Sequence, residues 1–527
     1  MYSFKYMKER LSQLYLDIAS RLPKASENWI ANLQELKERQ DIQAEEYLAK
    51  SRRPEGNDIA LNSICIYELY LLEDFGNLER SLLNIYAQHN KRSFPIGNDV
   101  KWCRQFIKQA SGSFSSGGWQ NLGWISSKDK ERKSLSSFMM AYLRGFPKEI
   151  ERMEINLHHI LPSVIIVSFN ITFEKTVNEE IESMINTKWR GKVILASLLP
   201  GRYGYSVTSS KEAKERALYN YLKNLRVKAE NFIRKYFSGH FLSDKKKSVR
   251  PVCPCIEIFS ISEISYGEDD LDERIKSNRE FWHSLGFEWH LKYNIFKSDG
   301  LFFFSASNDS DNSNHPYRLL IIKKGLNKEI YSSTQGGIYL LTLDFLRGYT
   351  NSIGLFELCN KTMRHVGELR LTIGKSLFLN RFFPGRFRTL LRLSESIDRE
   401  IFVLNRLVSE YEDIRKNRIV LWKCNQLDAV QLSKLQKKLS ECFLDSIDRQ
   451  IDLIKKQYET TNETFKNYLS GLNSKVTYKL QRKVFLLTLI LVAGVLVQIF
   501  LALPKEIQSK IWIKIVSIVL KAVSIFK

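Results

Sequence analysis

Cysteine is scarce in this chain: there are 7, at 65, 103, 253, 255, 359, 424 and 442, an odd number with no Cys-x-x-Cys pair. That excludes a disulfide scaffold and fits a reduced, cytoplasmic setting. Cys253-Pro254-Cys255 places two thiols at alternate positions, too close in sequence for a usual chelate, and reads as a buried strand. The amino terminus lacks an apolar run. From Met1 through Leu22 charges fall in every turn, so no export signal is expected. Histidine is sparse too, 8 in all, with His158 and His159 adjacent and His283 and His290 apart. None belongs to a His-Glu-x-x-His motif or sits beside a nucleophile elbow, and no Walker A loop or dinucleotide fingerprint is present, so an enzyme is not expected. Asn308 to Asn314, with Asp309 and Asp311, lacks the central glycine and closing glutamate of a calcium loop and reads as the polar tip of a hairpin.

Positive charge, by contrast, is in surplus: 80 Lys+Arg stand against 58 Asp+Glu, a net +22. An anionic partner follows, whether nucleic acid, acidic lipid or a phosphate-bearing ligand. The hydrophobic fraction of 44% over 527 residues allows large cores and implies two or more domains.

Near the carboxyl end, Val484 to Leu503 runs 20 residues without a charge, the length of one helical crossing of a bilayer. Lys475, Lys479, Arg482 and Lys483 precede it and, by the positive-inside rule, hold that edge and everything before it in the cytoplasm. Pro504 breaks the helix. Lys505, Glu506, Gln508, Ser509 and Lys510 then lead into Ile511 to Lys527, where Lys514, Ser517, Lys521 and Ser524 fall on one stripe. This second segment is either an amphipathic helix in the interface or a second span whose stripe faces water in a pore. The pore is the reading we carry forward, with Thr488 and Gln498 of the first span as further lining residues.

Upstream, Asp428 followed by Gln431 reads as an N-cap with its capping-box partner. From Ala429 to Lys483 no proline interrupts apolar residues at near-helical spacing, among them Leu435, Leu439, Phe443, Ile447, Ile451, Ile454, Tyr458 and Phe465. A helix of that length with one apolar stripe needs helical partners. Phe387 to Lys423, after Pro384-Gly385, supplies one through Ile397, Ile401, Leu404, Val408 and Tyr411, folding back within the chain or onto a neighbouring subunit.

The remainder is mixed. Met1 to about Phe94 reads as helices, and Pro95-Ile96-Gly97-Asn98 closes that region. Gly112 to Trp124 reads as an ordinary surface loop or, as the best ligand candidate in the chain, as one in which Gly117 and Gly118 free backbone amides for phosphate while Trp119 and Trp124 stack on a base. Lys245, Lys246, Lys247 and Arg250 read by default as a solvated loop, with a second phosphate-receiving patch as the functional alternative. Strands are expected at 163–173, 192–197, 252–260, 288–296, 300–305, 317–323 and 337–343, with helices at 211–237, capped by Ser210, and 271–285. Ser298-Asp299-Gly300 makes the fourth and fifth strands an antiparallel hairpin. The organisation expected is therefore a helical region over 1–96, an α+β cytoplasmic domain over 97–375, long stalk helices over 376–483 and a C-terminal two-helix membrane hairpin over 484–527, with spans at 484–503 and 511–527.

This layout, a cytoplasmic α+β domain whose stalk helix runs directly into the first of two spans, resembles the CorA-type divalent cation channels over roughly Pro384 to Lys527. The family's Gly-Met-Asn is absent. All 7 methionines lie at or before Met363, and the matching place reads Leu503-Pro504-Lys505, so no filter residue carries over. The resemblance implies a homo-oligomer, a pentamer, in the inner membrane. The large cytoplasmic part is similar to that of divergent CorA-like effectors encoded beside type III CRISPR systems. That likeness implies an antiviral defence channel gated by a small anionic nucleotide, adenylylated S-adenosylmethionine, with no direct binding of nucleic acid. A divalent metal ion transporter and a membrane-anchored scaffold without a pore are the alternatives.

Overall fold

The computed structural model describes residues 29–54, 57–88, 119–127, 140–195, 205–242, 252–262, 279–287, 293–298, 300–306, 316–323, 335–382, 405–413, 429–431, 437–502 and 504–525, with scattered positions in 7–18, 104–108 and 402–415. Two compact units divide the chain: one takes Met1–Arg364 and Arg399–Asp452, the other His365–Asp398 and Leu453–Lys527.

The first unit is an α+β domain built on a sheet of 10 strands. In chain order its elements are α1 (Trp29–Ser51), β1 (Ile59–Leu71), α2 (Phe75–Gln88), β2 (Trp119–Ser127), β3 (Met140–Leu143), β4 (Ile150–Leu161), β5 (Val164–Phe173), α3 (Lys175–Asn186), β6 (Lys192–Leu195), β7 (Tyr205–Thr208), α4 (Ser210–Ile233), β8 (Cys255–Ile261), α5 (Arg279–Ser284), β9 (Tyr293–Ser298), β10 (Leu301–Ala306), β11 (Tyr317–Ile322), the long helix α6 (Gln335–Phe382) and β12 (Val430–Gln431). Two helices follow, α7 (Leu439–Ala502) and α8 (Lys505–Ile525). The sheet order is β12-β9-β10-β11-β8-β1-β5-β4-β2-β3, and β6 pairs with β7 separately. The β11–β8 and β2–β3 pairs are parallel, the rest antiparallel.

Alternation along the strands sorts side chains between two helical layers. On one face Ile64, Ile66, Met153, Ile155, Leu157, Val167 and Phe169 meet α2, α3, α4 and α5 in the main core. On the other face Phe303 of β10 packs against Phe345 and Tyr349 of α6 and Phe443 of α7. β5 is buried on both sides because helices cover both, with Ile165, Val167, Phe169 and Ile171 toward the main core and Val164, Ile166, Ser168 and Asn170 on the other face.

Several expectations need correction. The region 1–96 is not all helical: Ile59–Leu71 is a central strand, its apolar run serving both faces of a covered sheet. Of the loop expected over Gly112 to Trp124, Trp119 to Trp124 belong instead to β2, while 112–118 lie outside the described residues. Residues 337–343, expected as a strand, open α6, whose apolar residues recur at helical spacing beyond the short run. Ser209, not Ser210, caps α4, its side chain accepting from the Glu212 N–H. The helix expected from Ala429 begins at Leu439 instead, since Val430 and Gln431 pair with Lys297 and Phe296 of β9. The strand expected at 288–296 starts at Tyr293; residues 288–292 lie outside the described set. The hairpin at Ser298 to Gly300 is present, with Gly300 at φ 79°. The Phe387 to Lys423 helix lies largely outside the described residues, but 405–413 is helical and Tyr411 donates to Asp448 of α7 at 2.5 Å.

In the second unit α6 ends at Phe382, just before Pro384. There Arg370 donates to the Gln457 carbonyl at 3.0 Å and to Thr461 Oγ1 at 2.7 Å, so the tail of α6 is itself a helical partner of α7.

Candidate ligand face on the sheet

Trp119 and Trp124 are an odd number of residues apart, a spacing that sends side chains of a regular strand to opposite faces. A bulge between Asn121 and Gly123, with Gly123 at φ 97°, inserts one residue and restores the match. Trp119 then pairs with His158, Asn121 with Asn156, Trp124 with Glu154 and Ser126 with Arg152. Both indoles therefore share a face with the polar row of β4. Asn121 holds the bulge, accepting from Gly123 N–H at 2.6 Å while its amide donates to Glu154.

Helix α6 completes the face. Tyr339 donates to Glu154 Oε2 at 2.9 Å and sets its ring edge-on to Trp124 with centroids 6.0 Å apart. The Arg347 guanidinium lies 4.0 Å from the centre of the Trp119 ring, and that of Arg152 lies 4.0 Å from the Trp124 ring. Each indole thus carries one cation on one side. Burial pushes the Glu154 carboxyl above its ordinary range, against hydrogen bonds from Tyr339, Asn170 and Asn121 that favour its charged form. His158 is driven down to about 3 by burial and by the Arg347 charge, so it is neutral, its Nε2 lying 3.0 Å from Ser168 Oγ. The amide oxygens of Asn156 and Asn170 are buried without a hydrogen-bond partner, an unusual state for such atoms.

The arrangement offers aromatic surface, two guanidinium groups and unfilled acceptors within one face. Such a face is suited to a planar group bearing negative charge. No family model, no curated protein and no solved structure matches the chain. The site therefore rests on its own chemistry.

Of the residues expected from sequence, Trp119 and Trp124 come together. Gly117, Gly118, Lys245, Lys246, Lys247 and Arg250 lie outside the described residues. Along the apolar end of α7, Gln498 is exposed and the Thr488 hydroxyl bonds back to the Val484 carbonyl at 2.8 Å. Lys514 and Ser517 are exposed on α8; Lys521 and Ser524 fall on the same helix, their side chains outside the described set. Among the described residues no cluster of His, Cys, Asp or Glu could hold a metal ion. Arg152, Glu154, Tyr339 and Arg347 were not anticipated. A signal for two of them was present: Arg152, Glu154, Asn156 and His158 alternate with Met153, Ile155 and Leu157, the period of a strand with one polar face.

Proposed function

We propose that this protein is an oligomeric membrane channel whose α+β domain senses a small anionic nucleotide on the Trp119–Trp124 face. What carries the membrane part is Thr477–Ala502 of α7, with mean hydropathy 2.9 and none of its apolar window buried. Left in water, a surface of that kind is a liability, whereas lipid covers it at no backbone cost because every helical amide is bonded internally. Exposed Lys479, Arg482 and Lys483 at its leading edge favour a cytoplasmic α+β domain. Beyond Pro504, Gln508 Nε2 donates to the Leu501 carbonyl at 3.1 Å and Trp512 meets Phe500 with centroids 6.4 Å apart. These contacts support a return of α8 toward the end of α7, the shape a membrane hairpin requires. The channel reading needs several copies, because one hairpin cannot enclose a pore.

The test is conductance of the full chain in liposomes with and without adenylylated S-adenosylmethionine. Ligand-dependent leakage supports the reading. Conductance without ligand favours an ion transporter, and no leakage under either condition favours a scaffold.

A further inference from the structure

Two buried carboxylates hold the chain by its backbone, one at 241–242 and the other at 252–253, and neither belongs to the ligand face. Glu68 of β1 is 0% exposed and Glu230 of α4 is 1% exposed. Among the described residues neither is in an ion pair; backbone amides satisfy both. Glu68 Oε1 accepts from Leu69 N–H at 2.8 Å and Phe241 N–H at 2.7 Å, and its Oε2 accepts from Leu242 N–H at 2.8 Å. Glu230 Oε2 accepts from Val252 N–H at 2.9 Å and its Oε1 from Cys253 N–H at 3.2 Å. The chain is thus held at 241–242, where it leaves the region of α4, and at 252–253, where it enters β8. Gly239 makes the first attachment feasible: a Cβ there would lie 2.3 Å from the Leu69 carbonyl oxygen, so only glycine lets the chain pass so close to β1.

We propose that Glu68 and Glu230 form a two-point, proton-responsive latch that fixes the backbone at 241–242 and at 252–253 when ionised and loosens it when protonated. Glu68 Oε1 accepts two N–H groups, while Glu68 Oε2 and both Glu230 oxygens accept one each and keep a second lone pair; a proton placed there turns the carboxylate oxygen into a neutral hydroxyl, a poorer acceptor for the amide it holds. On Glu68 the proton belongs on Oε2, which accepts one bond where Oε1 accepts two, and the Leu242 bond is the one weakened. On Glu230 it belongs on Oε1, at the longer bond, and the Cys253 bond is the one weakened. Burial pushes both carboxyls up to about 7, against the hydrogen bonds that favour the charged forms. Facing Glu68 are Lys361 from α6, with Asp74 and Arg364 behind it, and Tyr70 from the same strand. Facing Glu230 are Arg226 and Arg234 on its own helix and Cys255 of β8, while the Cys253 thiol feels both carboxylates.

The linkage has a sign that separates a latch from ordinary pH instability. Both folded-state values lie above the unfolded one, so the global stability these two groups contribute rises as pH falls from about 7 toward 4.5. Local protection at the two attachments moves the other way. Hydrogen exchange of the full chain, corrected for the intrinsic pH dependence of exchange, reads both. From about pH 8 to about pH 6, protection at Leu242 and Cys253 should fall by at least about twofold, the low end for one hydrogen bond. In Glu68→Gln and Glu230→Gln the local response should vanish. Infrared difference spectra of the wild-type chain give a second measurement should a variant fail to fold, and two carboxylic acids should titrate near neutrality. Unchanged protection at both attachments, a response at one only, or no acid band near neutrality would each overturn the two-point latch. The membrane reading stands or falls separately, on insertion and leakage.

Discussion

Gly354 of α6 presses on Ile166 of β5: a Cβ at 354 would lie 1.7 Å from Ile166 Cδ1 and 3.0 Å from its Cγ1. The sheet and its covering helix are therefore closer here than any other residue would permit. Gly354→Ala should destabilise the domain by about 1–3 kcal/mol through overpacking, despite the better helix propensity of alanine. Ile166→Val removes the clashing Cδ1, so the double variant should be more stable than Gly354→Ala alone in denaturant titration. A double variant no better than the single one would mean that the helix does not lie this close.

The buried triad on the opposite face is more sensitive. Glu257 is met by Arg318 at 3.0 Å and Arg226 at 3.4 Å, all three nearly or fully buried. Glu257→Gln keeps the shape but strands two guanidinium groups away from water, and should cost about 3–5 kcal/mol. The midpoint of chemical unfolding measures it.

His158 gives a pH dependence of opposite sign to that of Glu68 and Glu230. Its folded value of about 3 lies below the unfolded 6.5, so the stability it contributes is present above 6.5 and is lost as pH falls toward 3. His158→Gln should flatten that part of the stability profile, measured by denaturant titration across the window.

The tryptophan face predicts both binding and fluorescence. Trp119→Ala with Trp124→Ala should weaken binding of adenylylated S-adenosylmethionine about thirtyfold or more, the low end of stacking energy at about 1 kcal/mol for each of two rings. Arg152→Ala should cost about 0.5–2 kcal/mol of stability and shift Trp124 emission, since it removes the cation lying on that ring. Unchanged binding in the double tryptophan variant would move the ligand elsewhere.

Much of the architecture was legible where one period dominates. The apolar end of α7 announces itself by an unbroken run without charge, and the strands of 163–173 and 317–323 by short clusters of β-branched and aromatic residues. The same property misled at Ile59–Leu71, where an apolar run flanked by helical sequence does not distinguish a central strand from a buried helix. The two tryptophans were visible as residue types, but their shared face depends on a one-residue bulge, and their cations come from β4 and from α6, which begins more than 200 residues after Trp119. Asp428 and Gln431 mimicked a helix start because a capping pattern carries no information about a distant strand, here β9, that can claim the same backbone.

The account depends most on Thr477–Ala502 lying in lipid. Flotation of the full chain with liposomes after an alkaline carbonate wash tests this directly, since the wash strips proteins held by charge and leaves those inserted in the hydrocarbon. The protein should float with the vesicles, and replacing Leu487, Ile490 and Leu491 with aspartate should leave it at the bottom of the gradient. Release of the unmodified chain by carbonate would contradict the membrane reading and the channel that rests on it.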